Sequence, residues 1–134
     1  MMKEKSLIIV PSEAKYIREV SSAIREALAS CKVGADALFE IKLCVEEAVR
    51  NAMVHGNRSD KKKTVKVSYW VEKGSLNIEV EDEGDGFDPK AVPDPTKDDN
   101  LTKTSGRGVY LIKKLMDRVE FDSNGRRVRM VKRL

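Results

Sequence analysis

Residues 64–81 constrain the fold more than any other stretch of the chain. Val65, Val67, Tyr69 and Val71 alternate with Thr64, Lys66, Ser68 and Trp70, Lys73-Gly74 interrupts the pattern, and Leu76, Ile78 and Val80 then alternate with Asn77, Glu79 and Glu81. A period of two sends successive side chains to opposite faces of a strand. A two-residue break containing Gly suits the positive φ of a tight hairpin. The segment is therefore predicted as a β-hairpin with one apolar face, which needs a second layer to cover it.

The helices to supply that layer are legible on either side. Leu7-Ile8-Ile9-Val10 reads as a short strand stopped by Pro11, with Ser12 as N-cap of a helix to about Ser30. Its apolar stripe is Ile17, Val20, Ile24, Ala27 and Leu28. After Gly34 a second helix is predicted from Asp36 to His55, with Leu38, Ile41, Val45, Ala48, Val49 and Ala52 on one side and Gly56-Asn57 as its C-cap. A third is carried by Val109, Ile112, Leu115 and Met116. A last hairpin places Val119 and Phe121 against Val128 and Met130, turning at Asn124-Gly125. The predicted fold is an α/β chain of the α+β two-layer sandwich type. Its sheet is mixed and mostly antiparallel, three helices cover one face, and residues 1–134 make a single domain.

Composition excludes several function classes. Cys31 and Cys44 have no CxxC spacing and His55 is the only histidine, so no zinc set is expected. No apolar run approaches a signal peptide or a membrane span, which places the chain in the reducing cytosol with free thiols. The net charge of +4 concentrates in Lys61-Lys62-Lys63 and in Arg126, Arg127, Arg129, Lys132 and Arg133. A nucleic-acid interface is one reading of that cluster. With three Phe, three Tyr and one Trp, stacking platforms are scarce, and a solvated basic surface is the simpler reading.

Three short segments carry the chemistry. Asp82 continues the series Leu76, Ile78, Val80, so its carboxylate should point to the apolar face. There it needs a strong partner: a nucleotide's exocyclic amine, an Arg, or a turn that it caps. Gly84 and Gly86 follow and allow close approach of a ligand to the backbone. A calcium loop of the EF-hand type fails, because the third position from Asp82 is Gly84. Glu47, Asn51 and His55 are spaced by four and share one helix face with Cys44, roughly opposite the Val45 stripe. Either that face is solvated, or Glu47 serves as a base and Asn51 as an amide ligand to Mg²⁺. His55 suits the dipole at a helix C-terminus. Residues 93–105, with Pro93, Pro95, five charged side chains and Leu101, form a long polar loop. It ends in Lys103, Thr104, Ser105, Gly106, Arg107 and Gly108, where a helix opens and its free N–H groups suit phosphate. The chain has no GxxxxGK[ST] loop.

Together, Glu46-Glu47-Ala48-Val49-Arg50-Asn51-Ala52, Asp82-Glu83-Gly84-Asp85-Gly86 and Gly106-Arg107-Gly108-Val109 resemble the N, G1 and G2 boxes of the GHKL ATPase/kinase superfamily. In compactness the chain is similar to the anti-sigma regulatory serine/threonine kinases. The resemblance implies a Bergerat-type fold binding ATP and Mg²⁺. It also implies a cytoplasmic regulator that binds a sigma factor and phosphorylates an anti-anti-sigma partner, with no nucleic acid or membrane partner, and homodimers are common among such proteins. Asn51 would hold Mg²⁺, Glu47 would be the base, and Asp82 would bind the adenine amine, with Gly84 and Gly86 beside the nucleotide. Residues 93–105 would be the ATP lid, and Gly106 and Gly108 would hold phosphates. Related kinases often carry an Arg just ahead of the Ser-Gly pair, where this chain has Thr104, with Lys103 and Arg107 as substitutes. A non-catalytic module that sequesters a partner, with ATP as a structural ligand, is the alternative.

Overall fold

The structure is a computed structural model that describes residues 4–84, 104–122 and 125–134, the side chains of 104–107 excepted. The element order matches the pattern above: β1 (Ser6–Pro11), α1 (Ile17–Ala27), α2 (Ala35–Asn51), β2 (Thr64–Glu72), β3 (Ser75–Glu81), α3 (Thr104–Leu115), β4 (Arg118–Asp122) and β5 (Arg127–Arg133). The five strands form one sheet in the order β1-β2-β3-β5-β4, antiparallel at every pairing. After α3 the chain enters at the β4 edge and doubles back, so the last strand lies against β3. The turn between β2 and β3 has positive φ at both Lys73 (51°) and Gly74 (77°), the primed geometry that matches strand twist. Gly125, in the last hairpin, has φ 86°, while Asn124 lies outside the described residues.

The apolar alternation becomes a ladder across the sheet. Val67 faces Val80, Tyr69 faces Ile78, and Val71 faces Leu76; on the other side of β3, Val128 and Met130 face Val80 and Ile78. These side chains are buried together with Val20, Ile24 and Leu28 of the first helical segment and Val45 and Val49 of α2. Each such side chain contributes roughly 1.5–3 kcal/mol by leaving water. The opposite face carries charged side chains on β2, β3 and β5, with Leu7 and Ile9 of β1 exposed beside them. Trp70 is only 8% exposed there, because Lys5 and Arg129 stack on its ring with 4.6 and 5.5 Å to the centroid.

Four local expectations change. Ser12 does not cap a helix: a 3-10 turn (Ala14–Tyr16) precedes α1, and neither helical start has a side-chain cap. Instead Ser12 Oγ donates to the Lys63 carbonyl (2.9 Å), tying the end of β1 to the start of β2. The second helix does stop at Gly56-Asn57, with Asn57 as C-cap, but not through a left-handed glycine. It passes into a π turn (Ala52–Gly56), and the positive φ values fall later, at Arg58 (52°) and Ser59 (57°). Cys44 does not sit on a solvated face. It is fully buried, because α2 is the central helix and packs against α3 as well as α1 and the sheet. Burial pushes its thiol up to about 11, so it stays protonated at neutral pH.

Lys132 is the fourth change. It continues the inward series Val128, Met130, and its ammonium donates to Glu40 (2.8 Å) and to the Leu115 carbonyl (2.7 Å). It therefore neutralises the negative end of the α3 dipole from below. Its partners in the basic cluster are also engaged: Arg127 pairs with Glu81 (3.3 Å) and Asp122 (3.6 Å), and Arg129 stacks on Trp70. The cluster is thus divided, with Lys132 on the helix-covered face of β5 and Arg127, Arg129 and Arg133 on the other. Lys132→Ala should lower unfolding free energy by about 2 kcal/mol, since a half-buried carboxylate and a helix-terminal carbonyl both lose their donor; equilibrium denaturation in urea measures it.

Candidate functional site

The site begins where the π turn meets the end of β3. A π turn admits one extra residue per turn and recurs at functional positions. Here it carries Gly56 under Asp82 so closely that a Cβ on Gly56 would fall within the Asp82 carboxylate. Likewise a Cβ on Gly84 would fall within the Gly56 carbonyl. These two glycines are required by close approach of backbone to carboxylate and backbone to backbone.

Asp82 is 8% exposed and faces inward, as its register predicts. Its Oδ1 accepts the Gly84 N–H (2.8 Å), so it does cap the turn after β3. Its own N–H donates to the Arg126 carbonyl (2.9 Å). Burial raises its pKa above the ordinary carboxylate value, opposed by the Gly84 N–H and the Arg126 and Lys63 charges and assisted by Glu81. A buried carboxylate beside a cavity, destabilised by lack of water, is a strong acceptor for an incoming N–H.

Asn57 holds this arrangement, a role beyond the helix C-cap that its place after Gly56 predicts. It is fully buried; its Nδ2 donates to Ser12 Oγ (2.9 Å) and the Thr64 carbonyl (2.9 Å), and its Oδ1 accepts the Glu83 N–H (2.7 Å). Glu83 Oε2 in turn accepts from Thr64 N (2.5 Å) and Thr64 Oγ1 (3.0 Å), which holds its carboxyl below the usual range. The end of α2, the start of β2 and the turn after β3 are thereby one network.

On α2, Asn51 lies between two spaces. On one side is a cleft whose walls include Ala48, Val80, Asp82, Val109 and Ile112, enclosing about 20 Å³, room for about one water. On the other is an open cavity of about 460 Å³ bounded by Glu47, Arg50, Asn51, His55 and Gly108. The third segment meets the first at Gly108. A Cβ there would stand 2.9 Å from Glu47 Oε2, 2.9 Å from Asn51 Nδ2 and 3.3 Å from Asn51 Oδ1. Glu47 Oε1 accepts from Arg50 Nη1 at 2.6 Å.

The segments are thus brought together as far as they are described. Gly108 lies against both Glu47 and Asn51, and Asn51 and Asp82 border one cleft, with Gly84 beside Asp82. Gly86, Lys103 and the stretch 93–103 lie outside the described residues. Thr104, Ser105, Gly106 and Arg107 form the first turn of α3, described for the backbone alone. Because α3 starts at Thr104, Gly108 lies in its second turn. The free first-turn amides therefore precede it, and Gly108 itself packs against Glu47 and Asn51. Among the described residues no three His, Cys, Asp or Glu could enclose a metal ion.

A family model described as a histidine kinase-like ATPase domain matches residues 10–132. The serine-protein kinase RsbW of Bacillus velezensis is 31% identical over 123 residues, covering 86% of this chain and 76% of that protein. RsbW of Bacillus subtilis is 29% identical over the same length, with the same coverage. An anti-sigma F factor of Geobacillus stearothermophilus is 37% identical over 91 residues, 66% of this chain and 62% of that one. A crystal structure of the RsbU and RsbW domains of a Mycobacterium tuberculosis protein matches 98% of this chain and 33% of its own, with TM-score 0.69 and 20% identity, a likeness of fold.

Proposed function

Because the chain belongs to the histidine kinase-like ATPase domain family, we propose that it is an anti-sigma regulator that binds ATP and phosphorylates a serine or threonine of an anti-anti-sigma protein. The relatives named as serine-protein kinases and anti-sigma factors support this reading. The observation that carries it is the approach of Gly108 to Glu47 and Asn51, which joins two of the three segments at one point, with Asp82 across the adjoining cleft.

In this reading Asp82 accepts the adenine amine, Gly84 and Gly86 lie beside the nucleotide, and Gly56 leaves room for the Asp82 carboxylate. Adenine is larger than the volume the cleft encloses, so in this reading the cleft widens to admit it. The amides of Thr104, Ser105, Gly106 and Arg107 at the opening of α3, with polar groups from these residues and from Lys103 before them in sequence, would meet the phosphates. The residues present fit Mg²⁺. A single amide oxygen at Asn51, with no carboxylate cage among the described residues, suits an ion that keeps its waters and binds chiefly through phosphate. When bound, it neutralises phosphate charge. Glu47 orients the partner's hydroxyl and takes its proton as the new O–P bond forms and the bond to ADP breaks. A sigma factor is the second partner, sequestered while the anti-anti-sigma protein is phosphorylated.

Incubation with γ-labelled ATP and an anti-anti-sigma protein of the same genome tests the reading. Label should pass to the partner, and a chain that binds ATP without passing label would be the sequestering module instead.

Asp82→Asn separates stability from binding. Asn can still accept the Gly84 N–H but is a weaker acceptor for the adenine amine. ATP affinity should fall by roughly 1–3 kcal/mol, read by calorimetry, and unchanged affinity removes the adenine role. Stability should move the other way. An acid whose folded pKa is raised binds more protons folded than unfolded, so it costs stability as pH rises through its unfolded value of about 3.8 towards the higher folded one, and the cost persists above that. The nucleotide-free variant should therefore melt higher than the parent at neutral pH, with the gap closing as the pH is lowered through that window.

A further inference from the structure

Phosphoryl transfer needs positive charge at the terminal phosphate, and Arg is suited to it because its planar fork meets two phosphate oxygens at once. Around the cavity shared by Glu47, Asn51 and Gly108, the described side chain with a permanent positive charge is Arg50. It sits one residue before Asn51 and one helical turn after Glu47, and its guanidinium lies 2.6 Å from Glu47 Oε1. The other oxygen of that carboxylate is the one that faces Gly108. The guanidinium is therefore one carboxylate away from the point where the second and third helices meet. Its side chain is 46% exposed, so apart from the bond to Glu47 about half of its surface faces solvent.

The charges explain why a cation is needed at this point. Glu47 beside a terminal phosphate places two anions in contact, which repels the very group the base must work on. A guanidinium bound to the carboxylate in the nucleotide-free protein and to phosphate in the complex removes that conflict in both states. It also leaves the Glu47 carboxylate open to a hydroxyl only when a phosphoryl donor is present.

We propose that Arg50 is the cation that meets the γ-phosphate, exchanging its bond to Glu47 for the terminal phosphate oxygens. The inference rests on the ATP-binding reading above. Calorimetry with Mg-ADP and with the βγ-imido analogue of Mg-ATP tests it on the full chain. The parent should bind the triphosphate more tightly than ADP. Arg50→Ala should lose about tenfold in triphosphate affinity while ADP affinity stays within about twofold. Arg50→Lys, which keeps the charge without the fork, should recover part of the preference. An equal loss for both nucleotides, an intact triphosphate preference in Arg50→Ala, or a preference that disappears only in Lys103→Ala or Arg107→Ala would overturn the assignment to Arg50 and leave ATP binding standing. If the parent binds neither nucleotide, the ATP reading and this inference fail together.

Discussion

Glu47→Gln should abolish most phosphoryl transfer while leaving ATP binding within a few-fold of the parent. Gln keeps the shape and one acceptor oxygen but cannot take a proton, and general-base catalysis is typically worth ~10²–10⁴-fold. The carboxylate is well placed for that loss to be selective. It lies on the side of Asn51 away from the Asp82 cleft, against Gly108 and Arg50, and Asp82 is not among its contacts. Single-turnover transfer from labelled ATP to an anti-anti-sigma protein measures the first quantity and calorimetry the second. Equal loss of both would make Glu47 a binding residue. A fully active Gln variant would move the base elsewhere.

The second large effect is expected at a residue that touches no substrate in this reading. Asn57→Ala removes three hydrogen bonds from a fully buried position and leaves Ser12 Oγ, the Thr64 carbonyl and the Glu83 N–H short of a partner. Each orphaned group costs about 1–3 kcal/mol, so even at the low end the three together cost about 3 kcal/mol. That is a large part of the stability of a small domain. The loss should not be confined to stability. The Glu83 N–H belongs to the turn that places Asp82 over Gly56, and that turn would loosen first. Thermal melting and nucleotide affinity should therefore fall together, and saturating ATP should recover part of the melting temperature if the site can re-form. Asn57→Asp is the informative control. It keeps the acceptor for Glu83 N–H but loses the two donors, so a variant as stable as the parent would contradict the network.

The two predictions concern residues of very different legibility. Glu47 and Asn51 were readable as a pair because helical spacing places them on one face whatever the rest of the chain does. Asp82 was readable because a strand's period carried its carboxylate to the apolar side. The partners of Asn57 lie 45, 7 and 26 residues away, so its place after Gly56 marks a helix end but not the network it holds. Gly56 read as a helix stop for the same reason: the collision that requires glycine there is with Asp82, across the sheet. Cys44 was placed on an open face because one helix's pattern cannot reveal that a later helix will cover its other side. Lys132 was counted with surface charge although its strand parity already pointed inward, which is the signal that could have found it.

What the amino-acid order determined by itself is the local geometry: which stretches are strand or helix, which face of each is apolar, and which chemical groups fall at one spacing. Those follow from periods of 2 and 3.6 and from turn chemistry, and they act over a few residues. The tertiary structure alone decided which faces meet. Packing α3 against α2 set Gly108 on Glu47 and Asn51, and the π turn set Gly56 beneath Asp82. Such contacts join residues far apart in the chain, and close packing of the core, not any local preference, selects them.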